Sequence, residues 1–199
     1  MGPATADDHM AGDVRFFERF APVYDLVMPR ADGTAIRSGL AVAEGPVERV
    51  VDLGGGTGRA IREVTASGRL VIDPARGMLR RVPADVDRLR GSATSLPLRD
   101  GSIDAVLIVD ALHHMPPVAR VFSEVRRVLR PGGVVVVIDF NPTTVRGRLL
   151  VAAEHLIGFN SVFYSPTDLG SHLDTAGFTP EVIDGGFAYV VAGRVPPDE

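Results

Sequence analysis

Cysteine, tryptophan and lysine are all absent from this chain of 199 residues, and two of these absences restrict what the protein can do. Without cysteine, the chain cannot form a disulfide, use a thiolate nucleophile or bind a metal through sulfur. Without lysine, all 21 basic side chains are arginines, and they are outnumbered, since the net charge is −4. Nucleic-acid-binding proteins normally carry a concentrated basic surface. We therefore expect no nucleic-acid partner.

Long apolar runs are also missing from the chain. No stretch of about eighteen apolar residues is present, and the first residues lack the charged-then-apolar pattern of a signal peptide. We therefore expect no membrane span and a cytoplasmic location. A hydrophobic content of 45% suits a single α/β domain with an aliphatic core. We expect residues 1–13 to be disordered and residues 14–195 to form this domain. The sequence does not decide between a monomer and a homodimer.

The most informative stretch of the chain is a glycine-rich loop at residues 50–58. A β-branched run ends at Asp52, and glycine then stands at 54, 55, 56 and 58. An apolar-periodic segment with Ile61 and Val64 follows, so the local pattern predicts a strand, a tight turn and a helix. Glycine permits the dihedral angles of such a turn and lets a ligand approach the backbone. The loop therefore indicates a site for a nucleoside-bearing cofactor.

The spacing of the glycines distinguishes between cofactors. Dinucleotide sites usually show G-x-G-x-x-G. Counted from Gly54 the third glycine position is Arg59, and counted from Gly56 it is Ile61. The pattern is instead D-x-G-x-G-x-G, which resembles motif I of the class I methyltransferases that use S-adenosylmethionine. An ordinary glycine-rich turn remains the alternative interpretation of this loop taken alone.

A second carboxylate follows about twenty residues later, at the end of another predicted strand. Residues 69–73 form a short apolar run that ends in Asp73, and Pro74 and a helical pattern through Met78 come next. An acidic side chain in this place can accept hydrogen bonds from both ribose hydroxyls of an adenosine. Asp73 could also be a helix N-cap before Pro74. The two roles are compatible.

Three further segments resemble the same family. Residues 96–104 are similar to the "LPF-x-D-x-SFD" segment before its fourth strand, and residues 128–133 to the "LRPGG" turn before its fifth. Residues 16–25 resemble the "F-x-x-x-A-x-x-YD" helix of the ubiquinone/menaquinone C-methyltransferase branch. The resemblance implies a Rossmann-like seven-stranded sheet that is mostly parallel with an antiparallel last strand, helices on both faces and an N-terminal helical cap. It also implies S-adenosylmethionine as cofactor and S-adenosylhomocysteine as product.

The patterns along the chain agree with this architecture. Strands and helices alternate from residue 48 to about residue 140, which predicts a parallel sheet with right-handed crossovers. Gly185-Gly186 separates two final strands and is a hairpin signal. The predicted helices cover residues 14–27, 34–43, 145–157 and 166–176. The fourth and fifth strands are predicted at residues 105–109 and 134–138, and the two final strands at residues 179–184 and 187–195.

One position departs from the family pattern. Ser92 stands where the family commonly has an acidic residue that contacts the adenine amino group. A hydroxyl can accept that hydrogen bond, but without charge assistance, so we hypothesise weaker adenine recognition. Alternatively, Ser92 only caps the short turn that follows. The predicted cofactor-binding residues are Asp52, Gly54, Gly55, Gly56, Gly58, Asp73, Pro74, Met78, Ser92, Ala93, Asp110 and Tyr24.

The acceptor side should lie at the carboxyl ends of the fourth and fifth strands, where open α/β sheets bind ligands. A histidine is a natural proton acceptor at neutral pH, yet two adjacent residues do not generally both face one pocket. The His-His pair could suggest a metal, but the sequence offers no third ligand at a recognisable spacing, so no metal is predicted. The weak catalytic candidates are His113, His114, Asp139 and Tyr24; Asn141, His155 and Tyr164 are further acceptor-side residues.

The sequence therefore predicts an enzyme that transfers a methyl group from S-adenosylmethionine to a small molecule. The resemblance of the N-terminal helix favours a quinone precursor or another apolar metabolite as acceptor. Two alternatives remain: an NAD-dependent oxidoreductase, which the glycine spacing disfavours, and a non-catalytic cofactor-binding protein of the same fold.

Overall fold

The computed structural model describes residues 6–115, 117–159 and 161–197, with side chains described from residue 14 onward. A seven-stranded sheet runs through the molecule in the order β3-β2-β1-β4-β5-β7-β6. The strands are β1 Arg49–Leu53, β2 Gly68–Asp73, β3 Asp87–Arg90, β4 Ile103–Val109, β5 Leu129–Phe140, β6 Thr179–Asp184 and β7 Ala188–Arg194.

Strands β1 to β5 pair in parallel, whereas β7 runs antiparallel to both β5 and β6. The centre of the sheet is buried on both faces: the side chains of β4 from Ile103 to Ile108 are all buried, as are residues 134–139 of β5. Continuous apolar runs of this kind are typical of parallel strands covered by helices. The predicted fold class is confirmed.

The helices are α1 Ala6–Val27, α2 Gly33–Leu40, α3 Arg76–Leu79, α4 Val118–Val128, α5 Val145–Leu156 and α6 Pro166–Thr175. Two apolar clusters lie on opposite faces of the sheet. One contains Phe122 of α4 and Leu169 of α6, and the other contains Ile36 of α2. Among the described residues, no helix is long and apolar enough to cross a membrane.

Three local predictions differ from the structure. The glycine loop is followed by a 3-10 turn at Ile61–Glu63 instead of a helix. The turn does not continue as a helix, because Val64 already has extended backbone angles and the chain then leads into β2 at Gly68. Helix α2 ends at Leu40, before the predicted end at residue 43. The segment of residues 128–133 is not simply a turn before the fifth strand, because β5 starts at Leu129 and residues 130–133 bulge out of its pairing with β4.

Helix α1 starts earlier than the sequence predicts. It begins at Ala6, within the segment expected to be disordered. Residues 1–5 lie outside the described part of the chain, so the expectation of a disordered terminus stays a prediction. From Val14 onward the helix follows the predicted course to Val27.

Candidate cofactor and acceptor site

A cavity of about 750 Å³ lies at the carboxyl ends of β1 to β4 and is covered by α1. This volume is within the usual range for small-ligand sites. Its position is the one at which open parallel sheets bind ligands, because crossover loops leave a crevice there. Of the residues predicted to bind or act, the cavity is lined by Tyr24, Gly54, Gly56, Asp73, Pro74, Met78, Ser92, Ala93, Asp110 and His114.

The glycine loop forms part of the cavity wall through its backbone. Gly54, Gly56 and Gly58 all have positive φ, at 69°, 56° and 81°, a conformation that other residues rarely adopt. A Cβ atom on Gly56 would meet only the Cε atom of Met78, at 3.7 Å. The loop therefore presents bare backbone to an open space that a side chain at Gly56 would partly fill.

Asp73 anchors the glycine loop to the end of β2. Its Oδ2 atom accepts a hydrogen bond of 2.9 Å from the Gly56 N–H, and its Oδ1 atom accepts one of 2.7 Å from the Ala75 N–H. The N-cap of α3 is Ala75, so Asp73 forms a local turn and does not cap the helix as the alternative proposed. Burial raises the pKa of Asp73, against the effect of the two backbone hydrogen bonds. Each carboxylate oxygen retains a lone pair that can accept from a ligand hydroxyl.

Asp52, Gly55 and Gly58 do not line the cavity; Asp52 supports the loop from behind. The Asp52 carboxyl is fully buried, and its Oδ2 atom accepts a hydrogen bond of 3.2 Å from the Ile61 N–H. A Cβ atom on Gly55 would collide with this carboxyl, which explains the glycine there. Burial raises the pKa of Asp52 from 3.8 to about 7.

Arg59 was not among the predicted site residues, but it connects three parts of the cavity rim. Its guanidinium donates to the Asp110 carboxylate at 3.0 Å and lies 5.3 Å from the centre of the Tyr24 ring. It also donates to the carbonyl of Pro29. Asp110 has a positive φ of 51°, which is uncommon outside glycine. No local sequence signal predicts the Arg59–Asp110 pair, because 51 residues separate its members.

Burial shifts the pKa of two groups on this rim, Tyr24 and Asp110. Burial raises the pKa of the Tyr24 hydroxyl even though Arg59 acts in the opposite direction. Tyr24 is therefore a phenol at neutral pH and can donate a hydrogen bond but does not act as a base. Burial also raises the pKa of Asp110, again partly offset by Arg59.

Only one of the two adjacent histidines faces the cavity. His113 is buried, and its Nδ1 atom lies 2.7 Å from Asp139 Oδ1 and 2.9 Å from Asp139 Oδ2, while its ring stacks on Phe163 at 4.4 Å. Burial acts to lower the pKa of His113, but the charge and hydrogen bond of Asp139, with Glu154 and Asp110, raise it overall. Asp139 is thus an orienting carboxylate, and His114 is the histidine that a ligand can reach.

An aromatic cluster surrounds His114. We define it as Phe16, Phe17, Phe20 and Tyr24 of α1 together with Phe159. The rings of Phe17 and Phe159 are nearly parallel, 7° apart, with centres separated by 5.9 Å. The His114 ring lies edge-on to both, at 5.3 Å from Phe17 and 5.2 Å from Phe159. On the side where α1 covers it, the cavity is therefore lined by the rings of Phe17 and Tyr24 together with the charged residues Arg15, Glu18 and Arg19.

The other acceptor-side candidates do not line this cavity. Asn141 is buried and holds the loop before α5, donating to the Gly185 carbonyl and accepting from Thr143. Tyr164 packs edge-on against His172, and His155 lies exposed on α5.

Ser92 makes the contacts of the turn-capping interpretation, and its contact with adenine stays a prediction. Its hydroxyl accepts from the Thr94 N–H at 3.3 Å and pairs with the Thr94 hydroxyl at 2.9 Å, as the turn-capping alternative requires. Ser92 also lines the cavity beside Ala93, where a hydroxyl can meet a ligand.

Known proteins resemble this chain in sequence. Residues 51–137 match a family model described as a methyltransferase domain. A demethylmenaquinone methyltransferase from Renibacterium salmoninarum is 33% identical over 168 residues, which cover 79% of this chain and 70% of that protein. Neither match supports the oxidoreductase alternative.

Two solved structures share the fold. A methyltransferase from Thermotoga maritima, described as a possible histamine N-methyltransferase, superposes with a TM-score of 0.71 at 21% identity and covers 94% of this chain and 98% of that one. A protein named DhpI, solved as a complex with SAH, gives a TM-score of 0.74 at 21% identity over 98% of this chain and 100% of that one.

Proposed function

The chain belongs to the class I S-adenosylmethionine-dependent methyltransferases, and from this premise we propose that its cavity binds S-adenosylmethionine beside an apolar aromatic acceptor such as a quinone precursor. The observation that carries the proposal is one cavity bordered by both the bare backbone of the glycine loop and the rings of Phe17 and His114. A ligand held by the loop and a ligand held by the rings would therefore be neighbours.

The residues of the cavity fit the cofactor. The backbone of Gly56 offers a surface without a side chain, and Asp73 offers carboxylate lone pairs for two ribose hydroxyls. Ser92 can accept a hydrogen bond from the adenine amino group. Behind them, the buried Asp52 and the hydrogen bond from Gly56 to Asp73 hold the loop in position before a ligand arrives.

The chemical contribution of the protein is mainly positioning. When bound, S-adenosylmethionine supplies a methyl group already activated on a sulfonium. The cavity has to hold the acceptor atom in line with that methyl group, and orientation of this kind can supply much of the rate. A general base is needed only for an acceptor that is not already nucleophilic. Among the predicted candidates, His114 is the group placed to take a proton, because His113 is buried against Asp139 and Tyr24 stays protonated.

The acceptor class is inferred from the aromatic cluster and from relatives. Phe17, Tyr24 and His114 give the cavity planar apolar walls on which a ring system can stack. The relative from Renibacterium salmoninarum is named for demethylmenaquinone, which has such a ring system. We carry this substrate class over to the present chain as part of the proposal.

Calorimetry with S-adenosylmethionine, S-adenosylhomocysteine and NAD tests the cofactor assignment. We expect both adenosyl ligands to bind and NAD not to bind, and we expect Gly56→Val and Asp73→Ala to abolish adenosyl binding. Binding of NAD alone, or adenosyl binding that survives in both variants, would refute the assignment.

A methyl-transfer assay with a panel of acceptors tests the acceptor class. We expect transfer to a demethylated naphthoquinol and a raised KM in Phe17→Ala. Phe187→Ala, which removes a ring that packs on Phe140 away from the cavity, is the matched control. Transfer to polar amines alone, or an equal KM change in both variants, would contradict the acceptor class without affecting the cofactor assignment.

A further inference from the structure

His113, His114 and Glu154 bring three potential ligand atoms within 4.8 Å of one another. The histidines come from the 3-10 turn after β4, and Glu154 comes from α5. The sequence shows the histidine pair but gives no third ligand at a recognisable spacing. The third ligand appears only when α5 packs against that turn, where Glu154 Oε1 lies 3.7 Å from His113 Nε2.

We propose that these three side chains bind a divalent transition-metal ion of the Zn²⁺ type. Two imidazoles and one carboxylate form a ligand set that zinc accepts in proteins. Imidazole ligands also favour transition metals over magnesium or calcium, which prefer oxygen ligands. Three protein ligands leave a further coordination position open, as in catalytic zinc sites.

Asp139 prepares His113 for this role. Both Asp139 oxygens lie within 2.9 Å of His113 Nδ1, which fixes the proton on that nitrogen when the ring is neutral. The lone pair of Nε2 then points toward Glu154. Metal-binding histidines usually donate their second ring N–H to a carboxylate in this way, and the carboxylate fixes the tautomer and raises the basicity of the ligand.

Glu154 supplies an independent observation. Its Oε2 atom is buried and has no hydrogen-bond partner among the described residues. A buried carboxylate oxygen without a partner is costly, and such groups in folded proteins call for an explanation such as a bound ion. A cation held between Glu154 and the two imidazoles would provide the missing interaction.

The position of the cluster connects it to the cavity. His114 lines the cavity wall, whereas His113 lies behind it. An ion on these ligands would therefore lie next to the cavity wall that His114 forms; whether an acceptor oxygen reaches it rests on the proposed function. Ligands of a tetrahedral zinc ion lie roughly 3.3 Å apart, so the side chains would close in by at most about 1.5 Å on binding.

Zinc binding to the full-length, tag-free chain tests the proposal. After treatment with a chelator and dialysis, the protein is titrated with Zn²⁺ by calorimetry in the absence of S-adenosylmethionine. We expect one ion per chain for the wild type and at least tenfold weaker binding for Glu154→Gln. His155→Ala is the matched control, because His155 is the exposed neighbour of Glu154 on α5, and it should bind as the wild type does.

Absorption of the Co²⁺-substituted protein gives a second readout, since a visible band from nitrogen- and oxygen-bound cobalt should appear in the wild type and weaken in Glu154→Gln. Circular dichroism verifies the fold of each variant, and His114→Gln replaces Glu154→Gln if that variant does not fold. Absence of binding in the wild type overturns the proposal and leaves His113 as a buried imidazole held between Asp139 and Glu154. Equal binding in the wild type and Glu154→Gln also overturns it. Neither result bears on cofactor binding, which is measured separately.

Discussion

Replacement of Gly56 by alanine separates two properties of the glycine loop, its backbone conformation and its contact with a ligand. Gly56 has a φ of 56°, which an L-residue adopts at a cost of about 1–2 kcal/mol. The new methyl group would meet only Met78 Cε, at 3.7 Å, so no collision within the protein adds to this cost. We therefore expect the free energy of unfolding to fall by about 1–2 kcal/mol.

The same methyl group would project into the cavity, where it occupies space that the proposed cofactor requires. Overpacking by a methyl group typically costs about 1–3 kcal/mol, which corresponds to an affinity loss of roughly 5- to 150-fold. Calorimetry with S-adenosylhomocysteine measures this loss, and urea unfolding followed by circular dichroism measures the loss of stability.

Gly101→Ala is the matched control. Gly101 has nearly the same φ, 59°, and a Cβ atom there would meet no atom within 4 Å, but the residue lies outside the cavity lining. Both variants should lose the same stability, and only Gly56→Ala should lose affinity. The reasoning is refuted if Gly56→Ala binds S-adenosylhomocysteine as tightly as the wild type, or if Gly101→Ala weakens binding to the same extent.

Two further predictions concern the cofactor side of the cavity. Ser92→Asp should strengthen binding of S-adenosylhomocysteine by roughly three- to tenfold in calorimetry, because a carboxylate makes a charge-assisted hydrogen bond to the adenine amino group. Asp52→Asn should change how the free energy of unfolding depends on pH. The pKa of Asp52 rises from 3.8 to about 7 on folding, so the protonated carboxyl favours the folded state. This stabilisation is lost as the pH rises from about 4 to about 7. The free energy of unfolding of Asp52→Asn relative to wild type, measured with urea at pH 5 and pH 8, should therefore move in favour of the variant at pH 8.

Each of these predictions has a specific contradictory result. Equal affinity of Ser92→Asp and the wild type would mean that position 92 makes no hydrogen bond to the adenine. If Asp52→Asn and the wild type differ in stability by the same amount at both pH values, the pKa of Asp52 does not change on folding.

The sheet could be predicted because its signals are local. Runs of β-branched residues predict buried strands wherever they occur, and β2, β4 and the strands β6 and β7 lie close to the predicted positions. The helix predicted at Ile61 and Val64 is wrong for the opposite reason. Apolar spacing favours a helix there, but Val64 has extended backbone angles, so the helical turn ends at Glu63 and the chain continues to β2 at Gly68.

The sequence alone also predicted several residues that border the cavity, since a glycine loop and a carboxylate at the end of the next strand occur at a recognisable spacing. Gly56 and Asp73 line the same cavity and are joined by a hydrogen bond. Asp52 belongs to the same sequence motif but lies buried behind the loop. Alternate residues of a strand point to opposite faces, and what covers each face is decided by the fold.

Tertiary structure alone decided the contacts between distant segments. Arg59 reaches Asp110 across 51 residues, and Glu154 reaches His113 only because α5 packs against the turn after β4. Such pairs have no sequence periodicity, because they depend on how the crossovers place whole elements in space. The sequence by itself determined the fold and the glycine loop, because their backbone requirements depend on neighbouring residues. The ion pairs and the histidine–carboxylate cluster required the folded chain.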